Sequence, residues 1–470
     1  MTQTTDDLWA STFRAQERGA EPGSNASDHN ILVVSDLHLG ENLASGSLAA
    51  LRQIARVSQA FTRFLAYYAD HRPEGRPWRL IIAGDMIDFV RARVVAEADV
   101  SEGDGAARAA KALDRVIAAH DTPFRDLTAF VERGHEVVIL KGNHDAELHW
   151  DEVQVQLVER LAGFATHDPD GVRARVTVSR WFWTDGDLVY VEHGNQYDRF
   201  CSFDHVLEPT LTGARELEEP IAHSAFHAFA QLILGTMDIH AIDRWTIPDF
   251  AKWLAGLGPK VIAKLAYTYF ATLSWMVATR RRLGEAAVRA RATHRTRFAE
   301  LARRSRLSED VLDKLDALRE RPAGLRLLDG IRMLYMDRVF VAVGALLALA
   351  ALLLVPFDLT AKLGSIGGLF TLTAVALAVL AYYRDVSTSP KLKRVAGRIK
   401  ALVKVRYVVL GHSHVPAVEP LDNGGTYFNT GSWSGDANGG MTHLCITRGA
   451  DGSAELRRWD PAADKPFSHR

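Results

Sequence analysis

The stretch "VVSDLHLG", residues 33–40, sets two β-branched apolar residues ahead of an aspartate and a histidine two positions apart, and closes on a glycine. On an extended segment, side chains two apart point the same way, so Asp36 and His38 offer a carboxylate and an imidazole together, as a metal site would. A turn accounts for the same residues, because Asp and Gly are common in loops. The rest of the chain has to decide between the two.

Four further runs repeat the pattern of an apolar stretch that ends in polar side chains. They are "RLIIAGDMIDF" (79–89), "HEVVILKGNHD" (135–145), "DLVYVEHGNQYD" (187–198) and "VRYVVLGHSHVP" (405–416), after "NILVVSDLHLG" (30–40). Nearly continuous apolar character is what a strand covered on both faces shows, and helical patterns around 48–68 and 106–120 fit between the first three runs. This is an α/β layout, in which ligands bind outside the carboxyl ends of strands. The polar clusters are expected to converge on one edge of one sheet, presenting Asp36, His38, Asp85, Asn143, His193, His412 and His414. Imidazoles with carboxylate and amide oxygens suit divalent transition ions, Mn foremost and Fe, Zn or Ni as alternatives, and seven such groups suit two ions with one carboxylate bridging.

Composition narrows the classes. The 470 residues are 47% hydrophobic, which excludes a disordered chain, and a net charge of -1 provides no overall attraction for nucleic acid. Cys201 and Cys445 alone make neither a disulfide framework nor a thiolate zinc cluster. Residues 1–29 carry no basic segment followed by an apolar run, so they are read as a loose lead-in and not a secretory signal.

In their order, "SDLHLG", "GDMIDF", "GNHD", "HGNQYD" and "GHSHVP" resemble the motif series of the calcineurin-like metallophosphoesterases, and "GGTYFNTGSW" (424–433) is similar to the strand and turn after the last motif. The resemblance covers 30–200 and 401–460. It implies a two-layered β-sandwich flanked by helices, with Asp36, His38 and His414 on one metal, Asn143, His193 and His412 on the other, and Asp85 bridging. Such chemistry also needs a proton donor for the leaving oxygen. His144 is the candidate, with Asp145 expected to accept from its ring and fix its orientation. Arg91 and Arg93 are candidate contacts to substrate phosphate, although an exposed helix face explains them equally well; Asp198 and Arg199 carry the same ambiguity.

Residues 201–400 form a long helical insert that the sheet does not need, and 461–470 a tail. Residues 339–357 and 364–383 contain no charged residue, and each is long enough to cross a bilayer at about 20 residues per helix. Arg332 and Arg338 precede the pair, Arg384, Lys391, Lys393, Arg394, Arg398 and Lys400 follow it, and only Lys362 lies between. The sequence therefore predicts a transmembrane hairpin of a plasma or inner membrane protein, with both flanks and the catalytic domain cytoplasmic. The stretch 258–284 is expected to lie on the surface as an interfacial helix, because a third crossing would part His412 and His414 from the other ligands. A helical insert that handles lipid resembles the UDP-diacylglucosamine diphosphatase branch, which has Arg where this chain has His144 and lacks a transmembrane pair. The expected substrate is a phosphoester or pyrophosphate, lipid-linked or membrane-proximal. An anchored nucleotide or nucleic-acid phosphodiesterase stays open, as does a non-catalytic interaction module. No protein partner is inferred.

Overall fold

A computed structural model describes residues 28–43, 48–96, 104–211, 216–218, 220, scattered positions from 252 to 271, 292–322, 336–356, 358–382, 388–422, 424–434, 440–448 and 453–469. Most of the lead-in and most of the stretch 258–284 lie outside them.

All five polar-tipped runs are strands, β1 (Asn30–Val34), β2 (Trp78–Ala83), β3 (Glu136–Leu140), β6 (Val189–Glu192) and β9 (Tyr407–Leu410). β1, β2 and β3 are parallel neighbours, followed by the parallel edge strand β4 (Val176–Ser179). Helices make the crossovers: α1 (Leu48–Asp70) before β2, then α2 (Phe89–Ala96), α3 (Gly105–Ala119) and α4 (Asp121–Glu132) before β3, then α5 (Asp151–Phe164) and α6 (Pro169–Arg175) before β4. Ile54, Val57, Phe61, Phe64 and Tyr68 recur at three- and four-residue spacing along α1 and are buried, as a helix covering one sheet face requires. Asp104 starts α3 by accepting a hydrogen bond from the Ala107 amide.

The chain then builds a second sheet. β5 (Phe182–Asp185) pairs antiparallel with β6, β6 lies parallel to β9, and β11 (Thr426–Asn429) and β10 (Ala417–Pro420) complete the order β10-β11-β9-β6-β5. β12 (Thr442–Ile446) returns to the first sheet antiparallel to β1 and carries β13 (Ala454–Asp460) and β14 (Lys465–Ser468) outward from it. Ile31, Val33, Ile81 and Leu140 pack against Val191, Val409 and Phe428 between the sheets, whereas Leu32, Val34, Leu80 and Ile139 face the helices. Burial on both faces is why these strands read as continuous apolar runs. One expectation needs correction: the site residues do not all come from one sheet. β1, β2 and β3 belong to the seven-stranded sheet, β6 and β9 to the five-stranded one.

Between β6 and β9 the described residues include a two-stranded ribbon, β7 (Thr210–Leu211) with β8 (Glu216–Leu217), then α7 (Glu309–Asp316), α8 (Met336–Leu354), α9 (Leu359–Tyr382) and α10 (Ser389–Val403). α8 and α9 form an antiparallel pair, with Arg338 donating to the Leu380 carbonyl at one end and Lys362 to the Leu353 carbonyl at the other. Their boundaries differ from the sequence reading. The Asp358 carboxylate caps α9 by accepting from the Ala361 amide, so "LTAK" forms the helix's first turn and not part of the connection. α8 stops short of Pro356, leaving Phe340–Leu354 as its apolar stretch. Among the described residues only Leu359–Leu380 is then long and apolar enough to cross a membrane, and none of it is buried. Leu347 (67% exposed), Leu354 (86%) and Phe370 (64%) show the same outward apolar surface.

Candidate metal centre

The site lies where β1, β2, β3, β6 and β9 end. Just past those ends, Asp36, His38, Asp85, His412 and His414 all take left-handed backbone conformations, with φ of 57°, 50°, 53°, 65° and 58°. Such a conformation costs a non-glycine residue on the order of 1–3 kcal/mol and persists only where the surroundings impose it. The surroundings here are other loops of the site. The Asp36 amide donates to the Gly84 carbonyl (3.1 Å), the His38 amide to the Asp85 carbonyl (3.0 Å), and the Gly411 amide to the His193 carbonyl (2.8 Å). Two glycines are required by contact: a side chain on Gly142 would overlap the Asp85 carboxylate, and a Cβ on Gly84, at φ 86°, would lie 2.5 Å from the His193 ring.

The structure brings the seven expected residues together. His193 donates from Nδ1 to the Ala83 carbonyl (2.8 Å), which leaves the Nε2 lone pair aimed at Asp85 Oδ2 (3.2 Å) and Asn143 Oδ1 (3.1 Å). On the other side His414 Nε2 lies 3.0 Å from Asp36 Oδ1 and 3.4 Å from His38 Nε2. His412 approaches through its amide, 3.3 Å from Asp36 Oδ2, and its ring Nε2 faces Asp198 Oδ2 at 3.2 Å. Asp36, His38 and His414 offer ligand atoms within 4.8 Å of one another, and so do Asp36, Asp85 and His193.

Lone pairs from imidazole, carboxylate and amide, converging at one place with the outer nitrogen of His193 already fixed by Ala83, are the donor set of a divalent cation. The electrostatics agree. Burial alone would raise Asp36, yet His414 and His193 bring it down to about 2; burial alone would lower His193, yet Asp85 and Asp36 hold it up to about 10. The acidic groups of the cluster demand positive charge, which a metal ion supplies as well as a proton does.

The surroundings of His144 differ from the sequence reading. His144 donates its backbone amide to Asp85 Oδ1 (2.7 Å), and its ring stands edge-on to His38 with centroids 4.6 Å apart. Its Nδ1 faces Asp88 Oδ1 at 3.4 Å, not Asp145. Asp145 instead accepts from the Gly142 amide (2.6 Å) and the Met86 amide (2.9 Å), fastening the loop after β3 to the loop after β2. The physical reason is the left-handed turn at Asp85, which carries Asp88 back under the site while the two amides claim Asp145. Asp88 is fully buried and was missed, although it sits in the "GDMIDF" motif beside a residue that was chosen. Burial opposes charge on His144, but Asp88 and then Asp85 outweigh it and hold its imidazolium up to about 9.

Arg91 pairs with Glu41 and Asp88, so two carboxylates already match its charge and it braces the wall below His144. Arg93 lies on α2, with its side chain outside the described residues. Asp198, ambiguous in sequence, is the carboxylate facing His412.

Residues 29–262 match the family model of the calcineurin-like phosphoesterases. No curated protein matches the chain. The matched segment contains Asp36, His38, Asp85, Asn143, His144 and His193, and β9 adds His412 and His414 from beyond it.

Proposed function

From the premise that this chain carries a calcineurin-like phosphoesterase domain, and is a metal-dependent phosphoric ester hydrolase, we propose that it is a membrane-anchored enzyme with two metal ions, acting on the phosphoester or pyrophosphate bond of an amphiphilic substrate. Asp36, His38 and His414 would hold one ion and Asn143, His193 and His412 the other, with Asp85 between them. When bound, two divalent ions, manganese by preference, polarise the phosphoryl group and lower the pKa of the attacking water. The chain's own residues do the rest. Ala83 fixes the His193 tautomer, Asp198 orients His412, and the Asp88 carboxylate keeps His144 protonated so that it can give a proton to the departing oxygen.

The observation that favours an amphiphilic substrate is the route of the chain. The exposed apolar helix α9 is followed, after a short connection, by α10, which packs beneath the loop that follows His193. α8 and α9 together would form the membrane hairpin, with the catalytic domain on the cytoplasmic side where Lys and Arg accumulate. The apolar stretch of α8, Phe340–Leu354, is short for a full crossing, and the residues from Met336 onward lengthen the helix at its basic end.

The test is an activity screen of the detergent-solubilised, metal-stripped chain resupplied with Mn, on lipid pyrophosphates, lipid phosphodiesters, cyclic nucleotides and aryl phosphodiesters. Turnover of the lipid substrates above the aryl control supports the reading. Turnover confined to cyclic nucleotides would replace it with an anchored nucleotide phosphodiesterase.

A further inference from the structure

We infer that α10 is a docking surface for anionic lipid headgroups, which holds the mouth of the metal centre at the bilayer; this rests on the membrane reading above. Residues 389–406 contain seven Lys or Arg and no Asp or Glu, in a chain whose net charge is -1. The charge is arranged by the fold. Leu392, Ala396, Ile399 and Val403 are buried against the second sheet, while Lys393, Arg394, Arg398 and Lys404 are exposed on the outer side. Arg394 and Arg398 face no carboxylate among the described residues, so their charge is open to a partner.

The occupant follows from what is joined to this face. A cluster of basic residues directly after an apolar membrane helix meets the negative leaflet surface, where each Lys or Arg near the surface adds about fivefold to binding. Here the apolar helix α9 ends at Tyr382 and the basic helix begins at Ser389. A polynucleotide could use the same charge, but it would have no use for the exposed apolar helix pair beside it.

α10 is also coupled to the site. Its Leu392 lies 3.4 Å from where a Cβ on Gly194 would stand, immediately after His193. Lys393 pairs with Glu419 on β10, the strand entered after His414. Headgroups bound along α10 would thus lie next to the loops that carry His193, His412 and His414, where a lipid-borne phosphoester has to enter.

The test reconstitutes the full chain in vesicles of phosphatidylcholine alone or mixed with phosphatidylglycerol, and measures acylation of Lys404 by an amine reagent, with exposed Lys465 as internal control. Acylation of Lys404 should slow only in the anionic vesicles and recover at high salt. Arg394→Gln with Arg398→Gln should weaken that shielding by about thirtyfold. Equal Lys404 acylation in both lipids overturns the proposal, and so does shielding by polyuridylate with none by anionic vesicles. Release of the chain from phosphatidylcholine vesicles by carbonate would remove the anchored reading instead, and Lys404 shielding on addition of anionic vesicles would still support docking.

Discussion

At the scale of single residues, the pairing of Asp88 with His144 makes the sharpest prediction. A donor that must be protonated loses activity as pH rises through its pKa, and Asp88 is the largest influence raising that pKa. Asp88→Asn should therefore move the falling alkaline limb of the rate profile to lower pH and reduce kcat about 10–100-fold with both metals retained. An unmoved limb would remove Asp88 from the role. His144→Ala should lower kcat by about 10²–10⁴-fold at unchanged metal content; loss of metal measured by mass spectrometry would make His144 a ligand. Gly142→Ala forces the Asp85 carboxylate aside and should cost metal affinity without unfolding the chain, readable by metal titration against circular dichroism. The seven residues that converge at the site could be named from sequence because a short apolar run with a polar tip is a local pattern. Asp88 could not, since its place depends on the backbone turning left-handed at Asp85, a conformation imposed by neighbouring loops that no spacing rule expresses.

At the scale of elements, two buried histidines tie neighbouring elements together through hydrogen bonds. His135 Nδ1 accepts from the Trp78 amide (2.9 Å) at the start of β2, and His443 Nε2 pairs at 2.7 Å with the hydroxyl of Tyr68 on α1. Burial presses both imidazoles down to about 3 from the ordinary value near 6.5. Below about pH 6.5 the unfolded chain takes up these protons and the folded one does not, so stability falls as pH drops, until about pH 3 where both states are protonated. The slope is about 1.4 kcal/mol per pH unit for each histidine. Urea unfolding in detergent at stepped pH should show it, and His443→Gln should flatten the dependence; a flat curve in the parent chain would refute it. The strands themselves were legible because both their faces are covered. Which sheet each belonged to was not, because a strand buried on both sides has no polar face to say which neighbour it meets. The ends of α8 and α9 were misplaced for a related reason: the apolar pattern gives the length of a run, but the Asp358 cap and Pro356 decide where the helices turn.

At the scale of the molecule, the apolar pair and the catalytic sandwich should be separable. Excision of 336–382 should leave a chain that hydrolyses a soluble aryl phosphodiester at a rate within a fewfold of the parent and leaves the membrane fraction on washing with high salt, while the parent resists carbonate. Cysteine in place of Asp358, at the α8–α9 connection, should react with an impermeant thiol reagent only from outside the cell; labelling from the cytoplasmic side would exclude the hairpin.

β6 and β9 are neighbours in one sheet, yet His412 and its partner Asp198 stand 214 residues apart in the chain, with α8 and α9 between them. During synthesis the first half of the site therefore emerges before β9 exists to complete it. On the membrane reading proposed above, the apolar pair would reach the bilayer in that interval, and the chain would become active only with its last strands, after its address had been settled. A nascent chain halted at residue 404 should accordingly be held by membranes while binding little metal, and extension to residue 434 should restore the metal.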